Sequence, residues 1–274
     1  MKNSPGRFAV VGDPVAHSLS PLIHNAWMAE AGLDAHYERI RLHSSDAAQD
    51  LRAMARAYDG LNVTLPHKIA ALAAAAKSSP DAHSVGAANT LVSDGGGWMA
   101  HNTDIAGFER AMQTACGQNI RDLNVLLIGA GGAARAAVVS LCRAGVVLTI
   151  ANRSEANAAA LAAELAPAAR VGGLDAIEAM SEAADLVVNS ASLGHAGASL
   201  PQLAPGRGRP FLDLSYGKAA APTLAAVAQA GWVPHDGLVM LVAQAAAAFR
   251  LWFGIDPDQS SALAACRTEV ANRT

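Results

Sequence analysis

The chain has 274 residues, enough for two ordinary domains, and 52% hydrophobic against 16% charged residues provides apolar surface for sizeable cores. A net charge of -3 with 4% aromatic residues supplies neither the basic field nor the stacking platforms that nucleic acid requires, so nucleic acid and anionic membrane surfaces are excluded as partners. Cys116, Cys142 and Cys266 are odd in number and far apart, which argues against a disulfide framework or a zinc site; they are expected as buried thiols, and no metal site is expected.

Residues 1–7 lack the apolar core of a secretory signal, so the protein is expected in the cytoplasm. Short runs at 8–11, 37–42, 60–65 and 88–92 read as strands with helices between them, and form a first α/β domain. Ser93-Asp94-Gly95-Gly96-Gly97, set between two apolar pairs, predicts a hairpin that closes it. A helix from about 104 to 116 is expected to cross into a second domain.

That domain opens with an apolar run, 123–128, feeding straight into Gly129-Ala130-Gly131-Gly132-Ala133-Ala134-Arg135. The pattern reads as a dinucleotide phosphate cradle: Gly129 permits the tight turn, Gly131 lets the backbone approach a pyrophosphate, and small Ala134 lets helix pack on strand. Glycines at this spacing also occur in purely structural turns. Here the preceding strand, a helix to about 145 and a second strand at 146–150 supply the context of a nucleotide site. Where an acid would bind a ribose 2'-hydroxyl, the chain has Asn152-Arg153-Ser154. The guanidinium fork of Arg153 and the hydroxyl of Ser154 suit a 2'-phosphate, which favours NADP over NAD. A solvated arginine at a strand end is the alternative, and Glu155 leaves room for some NAD use. Ser154 also serves as cap for a helix through 166 that Pro167 ends; 184–192 and 210–216 read as strands and 223–231 as a helix. The run 238–255 is apolar enough to raise a membrane span, but Gln244, Arg250 and many small residues make it a buried helix.

The first domain carries polar residues where the chemistry is expected. Asn62-Val63-Thr64-Leu65-Pro66-His67-Lys68 combines a strand end, a proline at an expected first helical position and a lysine on the first turn, and open α/β sheets bind ligands at strand C-termini. Lys68 can exchange a proton with a hydroxyl, or be a surface lysine. Asp104, after His101-Asn102-Thr103, can pair with Lys68 as a proton-transfer dyad, or cap the following helix; spacing leaves both open. His67 and His101 are read as local variants and not as acids, bases or metal ligands.

Together, Gly12-Asp13-Pro14-Val15-Ala16-His17-Ser18-Leu19-Ser20-Pro21, the 62–68 segment, Gly86-Ala87-Ala88-Asn89-Thr90, Asn102-Thr103-Asp104, the cradle, Asn152-Arg153-Ser154, Asp236-Gly237-Leu238 and Met240-Leu241-Val242-Ala243-Gln244-Ala245 resemble the shikimate dehydrogenase family. The resemblance runs from residue 8 to about 254 with the motifs in family order. It implies an α/β protein of two domains with the active site in the cleft. One is an N-terminal substrate domain, 1–103, completed by C-terminal helices in 238–274; the other is a Rossmann-type NADP-binding domain, 104–237. The implied activity is NADP-dependent, reversible reduction of 3-dehydroshikimate to shikimate in aromatic amino acid biosynthesis, by a monomer or homodimer. Lys68 and Asp104 are then the catalytic pair. Ser18 and Ser20 bind the substrate carboxylate, Thr64, Asn89, Asp104 and Gln244 contact ring hydroxyls, and Tyr216 closes the site. Gly129, Ala130, Gly131, Gly132, Ala133, Asn152, Arg153, Ser154, Leu214 and Gly237 hold the cofactor. Taken singly, Ser18, Ser20 and Asn89 are common turn or cap residues, Gln244 a polar residue in a helix and Tyr216 a packing residue.

The chain departs from the family pattern in three places. Asn157 stands where NADP-preferring members commonly carry a second basic residue, so phosphate binding rests on Arg153. Val239 replaces a glycine near the expected nicotinamide, which is expected to alter the cofactor pocket, and Lys218-Ala219-Ala220-Ala221-Pro222 differs from the usual loop. Two other readings stay open: a paralogue acting on quinate or an amino analogue with NAD or NADP, and a catalytically weak ligand-binding sensor. Lys68 and Asp104 weigh against the sensor, and Thr64 within Asn-Val-Thr fits the shikimate type better than a quinate enzyme.

Overall fold

The computed structural model describes residues 5–117, 119–191 and 199–273. It divides into two compact units, Met1–Gly107 with Leu241–Cys266, and Phe108–Met240 with Arg267–Thr274. The first boundary lies four residues beyond the expected 103, inside a helix. The last residues group with the second unit instead of the first, where Arg267, Val270 and Ala271 line one cleft with Ala111, Leu212 and Val239.

In the first unit the chain runs β1 (Gly6–Gly12), α1 (Ser20–Glu30), β2 (Ala35–Arg41), α2 (Ala47–Met54), β3 (Gly60–Val63), α3 (Lys68–Ala74), β4 (Lys77–Ser78), α4 (Pro80–Val85), β5 (Thr90–Asp94) and β6 (Gly97–His101). The strands form one sheet in the order β2-β1-β3-β5-β6-β4, with β1 parallel to both β2 and β3 and the β5–β6 hairpin antiparallel. Alternation along β1 separates two cores: Ala9 and Val11 face Leu51, Leu61, Leu91 and Trp98, while Phe8 packs on Trp252 and Phe253. α3 begins at Lys68, not at Pro66. Thr64 accepts the His67 amide at 3.0 Å, and that turn occupies residues 64–67.

α5 (Asp104–Cys116) leads into the second unit, where β7 (Asn124–Ile128), α6 (Gly132–Ala144), β8 (Val147–Ala151), α7 (Glu155–Leu165), β9 (Arg170–Gly172), α8 (Ile177–Glu182), β10 (Leu186–Asn189), β11 (Pro210–Asp213), α9 (Ala221–Gln229) and β12 (Val233–His235) follow. All strands are parallel, in the order β12-β11-β10-β7-β8-β9. The direction of winding reverses beside β7, and the C-terminal end of β7 is therefore the switch point where such sheets bind ligands. Helix ends follow local rules: Ser154 Oγ accepts the Asn157 amide to cap α7, and Gly145, at φ 75°, closes α6. The strand expected over 184–192 is shorter, and Ser192 lies outside the described residues. Short edge strands β4, β9 and β12 exist only through pairing with their neighbours.

α10 (Leu238–Phe253) and α11 (Gln259–Asn272) end the fold. Trp252 Nε1 donates to the Leu91 carbonyl at 3.1 Å, and a Cβ at Gly60 would collide with that indole, so α10 is fitted closely to the first sheet. Among the described residues no helix is long and apolar enough to cross a membrane. Of the cysteines expected to be buried, only Cys266 is. Cys116 is half-buried, and burial raises its thiol to about 11; Cys142 follows the buried stretch of α6 and turns outward.

Candidate active site

The first unit brings a connected set of polar side chains to the C-terminal ends of β1 and β3. Lys68, on the first turn of α3, places Nζ 2.6 Å from Asp104 Oδ2 at the start of α5, with the two side chains only 13% and 6% exposed. The other carboxylate oxygen accepts from Asn89 Nδ2 at 2.9 Å. The same amide nitrogen also lies 3.1 Å from Gln244 Oε1. Asn89 Oδ1 accepts the Thr103 backbone amide at 2.7 Å, which fixes which way the Asn89 amide points. Thus Lys68, Asn89, Asp104 and Gln244 meet, although 155 residues separate Asn89 from Gln244.

Ser18 lies on the turn between β1 and α1 and Ser20 is the first residue of α1, their hydroxyls 3.2 Å apart. The turn is anchored by Asp13, whose carboxylate takes Arg41 Nε at 2.7 Å and His43 Nδ1 at 2.8 Å; these hydrogen bonds hold the Asp13 carboxyl below its ordinary value. Thr64 is half-buried, its amide bonded to the Val11 carbonyl, and its methyl fills the space a Cβ on Gly12 would need. His67 Nε2 lies 2.7 Å from the Leu42 carbonyl and must be its protonated donor. It ties the start of α3 to the segment after β2 and, among the described residues, makes no side-chain hydrogen bond to the dyad.

Several members of this network carried no role in the sequence reading. Tyr37 hydroxyl donates to Asn62 Oδ1 at 2.7 Å, and Asn62 Nδ2 lies 3.1 Å from Thr90 Oγ1, itself 3.1 Å from Thr103 Oγ1. The one available signal was Asn62, an amide in the middle of a fully buried strand.

The second unit holds the cradle at the end of β7. Gly129 has φ 109°, and a Cβ there would stand 2.6 Å from Ser190 Oγ and 2.9 Å from the Ala191 amide, so the turn admits no side chain. At Gly131 a Cβ would meet nothing within 4 Å. The cradle is therefore closed against the protein at Gly129 and open at Gly131, the N-cap of α6, whose first-turn amides have no partner within the helix. Ala134 is fully buried in the core that α6 shares with β7. Past β8, Asn152 Nδ2 donates to the Ser154 carbonyl at 3.0 Å, and Arg153 is exposed with no ion pair among the described residues. Asp213, buried at the end of β11, accepts from Asn189 Nδ2 at 2.9 Å and from the Ser215 amide at 2.8 Å; burial raises its carboxyl above the ordinary value against these hydrogen bonds. Its bond to the Ser215 amide holds the turn that follows β11. Gly237 has no room for a Cβ because the Leu214 carbonyl lies against it, and its amide donates to Ser215 at 2.9 Å.

A family model described as the shikimate dehydrogenase substrate binding domain matches residues 10–91, one described as shikimate / quinate 5-dehydrogenase matches 111–198, and one described as the shikimate 5'-dehydrogenase C-terminal domain matches 237–267. The chain is 46% identical over 263 residues to the shikimate dehydrogenase (NADP(+)) of Hyphomonas neptunium, covering 95% of this chain and 96% of that protein. It belongs to the shikimate dehydrogenase family. Among solved structures it is similar to shikimate 5-dehydrogenase from Thermus thermophilus in complex with NADP(H) and shikimate, with a TM-score of 0.81 and 35% identity over 96% of this chain and 99% of that one. It is also similar to quinate dehydrogenase from Corynebacterium glutamicum in complex with NAD, with a TM-score of 0.83 and 30% identity over 97% and 100% of the two chains.

Within this family frame, two departures acquire a physical reading. Val239 packs against the core of the second unit and lines a cleft of about 370 Å³ with Leu212, His235 and Val270, so its side chain is accommodated by packing. Asn157 is exposed on the first turn of α7 and uses its backbone amide for the Ser154 cap, leaving Arg153 as the cation of that turn.

Proposed function

We propose that the chain is an NADP-dependent shikimate dehydrogenase, interconverting 3-dehydroshikimate and shikimate, and that the pairing of Lys68 with Asp104 is the observation that carries this reading. The residues at β7 fit a dinucleotide: Gly131 leaves the open approach a pyrophosphate needs, and Arg153 offers an uncommitted fork for the 2'-phosphate. When bound, the nicotinamide supplies or accepts the hydride. Lys68 spends one N–H on Asp104 and keeps two for the substrate oxygen, so in reduction it gives a proton to the oxygen as carbonyl becomes alkoxide, and in oxidation the amine form takes the hydroxyl proton. Asp104 holds Nζ in place, and Asn89 holds Asp104 by its second oxygen. Ser18 and Ser20 take the carboxylate, while Thr64, Asn89, Asp104 and Gln244 meet the ring hydroxyls and Tyr216 contributes from the loop after β11. A site of neutral hydroxyls and amides rejects analogues that leave its groups unpaired. Met1–Gly107 with Leu241–Cys266 serve as the substrate domain and Phe108–Met240 with Arg267–Thr274 as the cofactor domain, and the protein works in the cytoplasm as a monomer or homodimer.

The test is turnover of shikimate, quinate and aminoshikimate, each with NADP and with NAD, followed by nicotinamide absorbance. Shikimate with NADP is expected to give the highest kcat/KM. A preference for quinate or the amino analogue, or no turnover of any substrate, overturns the reading.

A further inference from the structure

Beside the serine turn, β2 carries a positive charge, Arg39, that no carboxylate balances among the described residues. β2 runs parallel beside β1, so its last residues lie at the same sheet end as the turn that follows β1. Strand alternation puts Tyr37, Arg39 and Arg41 on one face of β2. Arg41 is neutralised by Asp13. Arg39 instead lays its fork on a backbone oxygen: Nε and Nη2 donate to the Ser18 carbonyl at 2.9 and 2.6 Å. Among the described residues it has no ion-pair partner.

The residue whose carbonyl Arg39 grips also bears the Ser18 hydroxyl, 3.2 Å from that of Ser20. The charge is felt in this cluster. Burial raises the Tyr37 hydroxyl well above its ordinary value, while Ser20 and the positive charge of Arg39 act in the opposite direction. Two serine hydroxyls hydrogen-bond a carboxylate and an ester in much the same way, so by themselves they select weakly for charge. A nearby guanidinium favours only the anion.

We propose that Arg39 is a positioning and specificity residue, which fixes the Ser18 peptide and supplies the countercharge for the carboxylate of a ring acid seated on Ser18 and Ser20. This rests on the reading of those serines as the carboxylate seat. Because Arg39 is exposed, its contribution is moderate and is screened by salt.

The experiment measures calorimetric binding of shikimate and of shikimate methyl ester to the full chain, as wild type, Arg39→Gln and Arg39→Lys, at low and high salt, with shikimate turnover alongside. Glutamine keeps a donor for the Ser18 carbonyl and drops the charge; lysine keeps the charge. Arg39→Gln is expected to weaken shikimate binding by about 5-fold and the ester by less than about 2-fold, with kcat within about 3-fold of wild type. Arg39→Lys should restore most of the preference, and high salt should erode it in the wild type. Equal losses for acid and ester, or no loss for either, overturn the proposal. If the wild type shows this charge-dependent binding yet never turns shikimate over, the dehydrogenase reading fails and the role of Arg39 stands. If it binds neither compound, both fail.

Discussion

Replacing Lys68 by Met removes the ammonium while keeping most of the apolar stem, and the geometry states what should follow. At 2.6 Å and an effective dielectric of about 20, the attraction to Asp104 is roughly 6 kcal/mol, offset by several kcal/mol for each charge taken from water. The intact pair therefore adds little net stability. A lone buried carboxylate is a different matter: Lys68→Met leaves Asp104 with the Asn89 amide alone and is expected to cost about 3–5 kcal/mol. Adding Asp104→Asn removes the stranded charge, so the double variant should be more stable than Lys68→Met by at least about 1 kcal/mol. Urea unfolding followed by tryptophan fluorescence reads mainly the right unit, since Trp27, Trp98 and Trp252, three of the four tryptophans, lie in the first and only Trp232 in the second. Activity should behave in parallel, each single substitution lowering kcat by about 10² to 10⁴ and the double variant staying within about 10-fold of the worse single. Multiplicative kinetic losses, or a double variant less stable than Lys68→Met, would refute the idea that the two residues act as one unit.

Cofactor choice should respond to Arg153 and Asn157 in opposite senses. Arg153→Ala is expected to weaken NADP about 10- to 150-fold with NAD nearly unchanged, while Asn157→Arg tightens NADP in a salt-sensitive way; equal losses for both cofactors would assign Arg153 to the fold. The two cradle glycines should separate by phenotype. Gly129→Ala forces a side chain into a positive φ against Ser190 and should lower stability by about 1–3 kcal/mol, whereas Gly131→Ala should melt like wild type and bind NADP more weakly, as thermal melts and cofactor titrations would reveal. His24, stacked 4.4 Å from Tyr37 and fully buried, is brought down by burial from 6.5 to about 3. The folded chain keeps it neutral while the unfolded chain protonates it, so stability is complete above pH 6.5 and falls by about 1.4 kcal/mol per unit as pH drops from there toward 3. Comparing urea midpoints at neutral and mildly acidic pH, His24→Phe should remove that slope, and an unchanged slope would exclude His24 as its source.

What the sequence determined by itself is what depends on near neighbours. The strand, glycine turn and helix at 124–144, the Ser154 cap and the Gly145 stop are set by conformational preferences within a few residues, and all stand in the structure at the expected places. The motifs around Lys68, Asn89, Asp104 and Gln244 were likewise legible, through their resemblance to a family. Their meeting was not, because a hydrogen bond across 155 residues depends on sheet order and on how α10 docks, neither of which any local pattern encodes. The same holds where expectation and structure parted. Pro66 yields the start of α3 to Lys68 because a turn closed by Thr64 takes the preceding residues, and Cys142 is exposed because of the side of α6 on which it falls. Likewise β4, β9 and β12 are too short to carry a periodic signal and are strands only because a neighbouring strand satisfies their amides and carbonyls. Even Gly129, readable as a turn glycine, owes its strictness to Ser190, 61 positions along the chain, which tertiary packing sets against it.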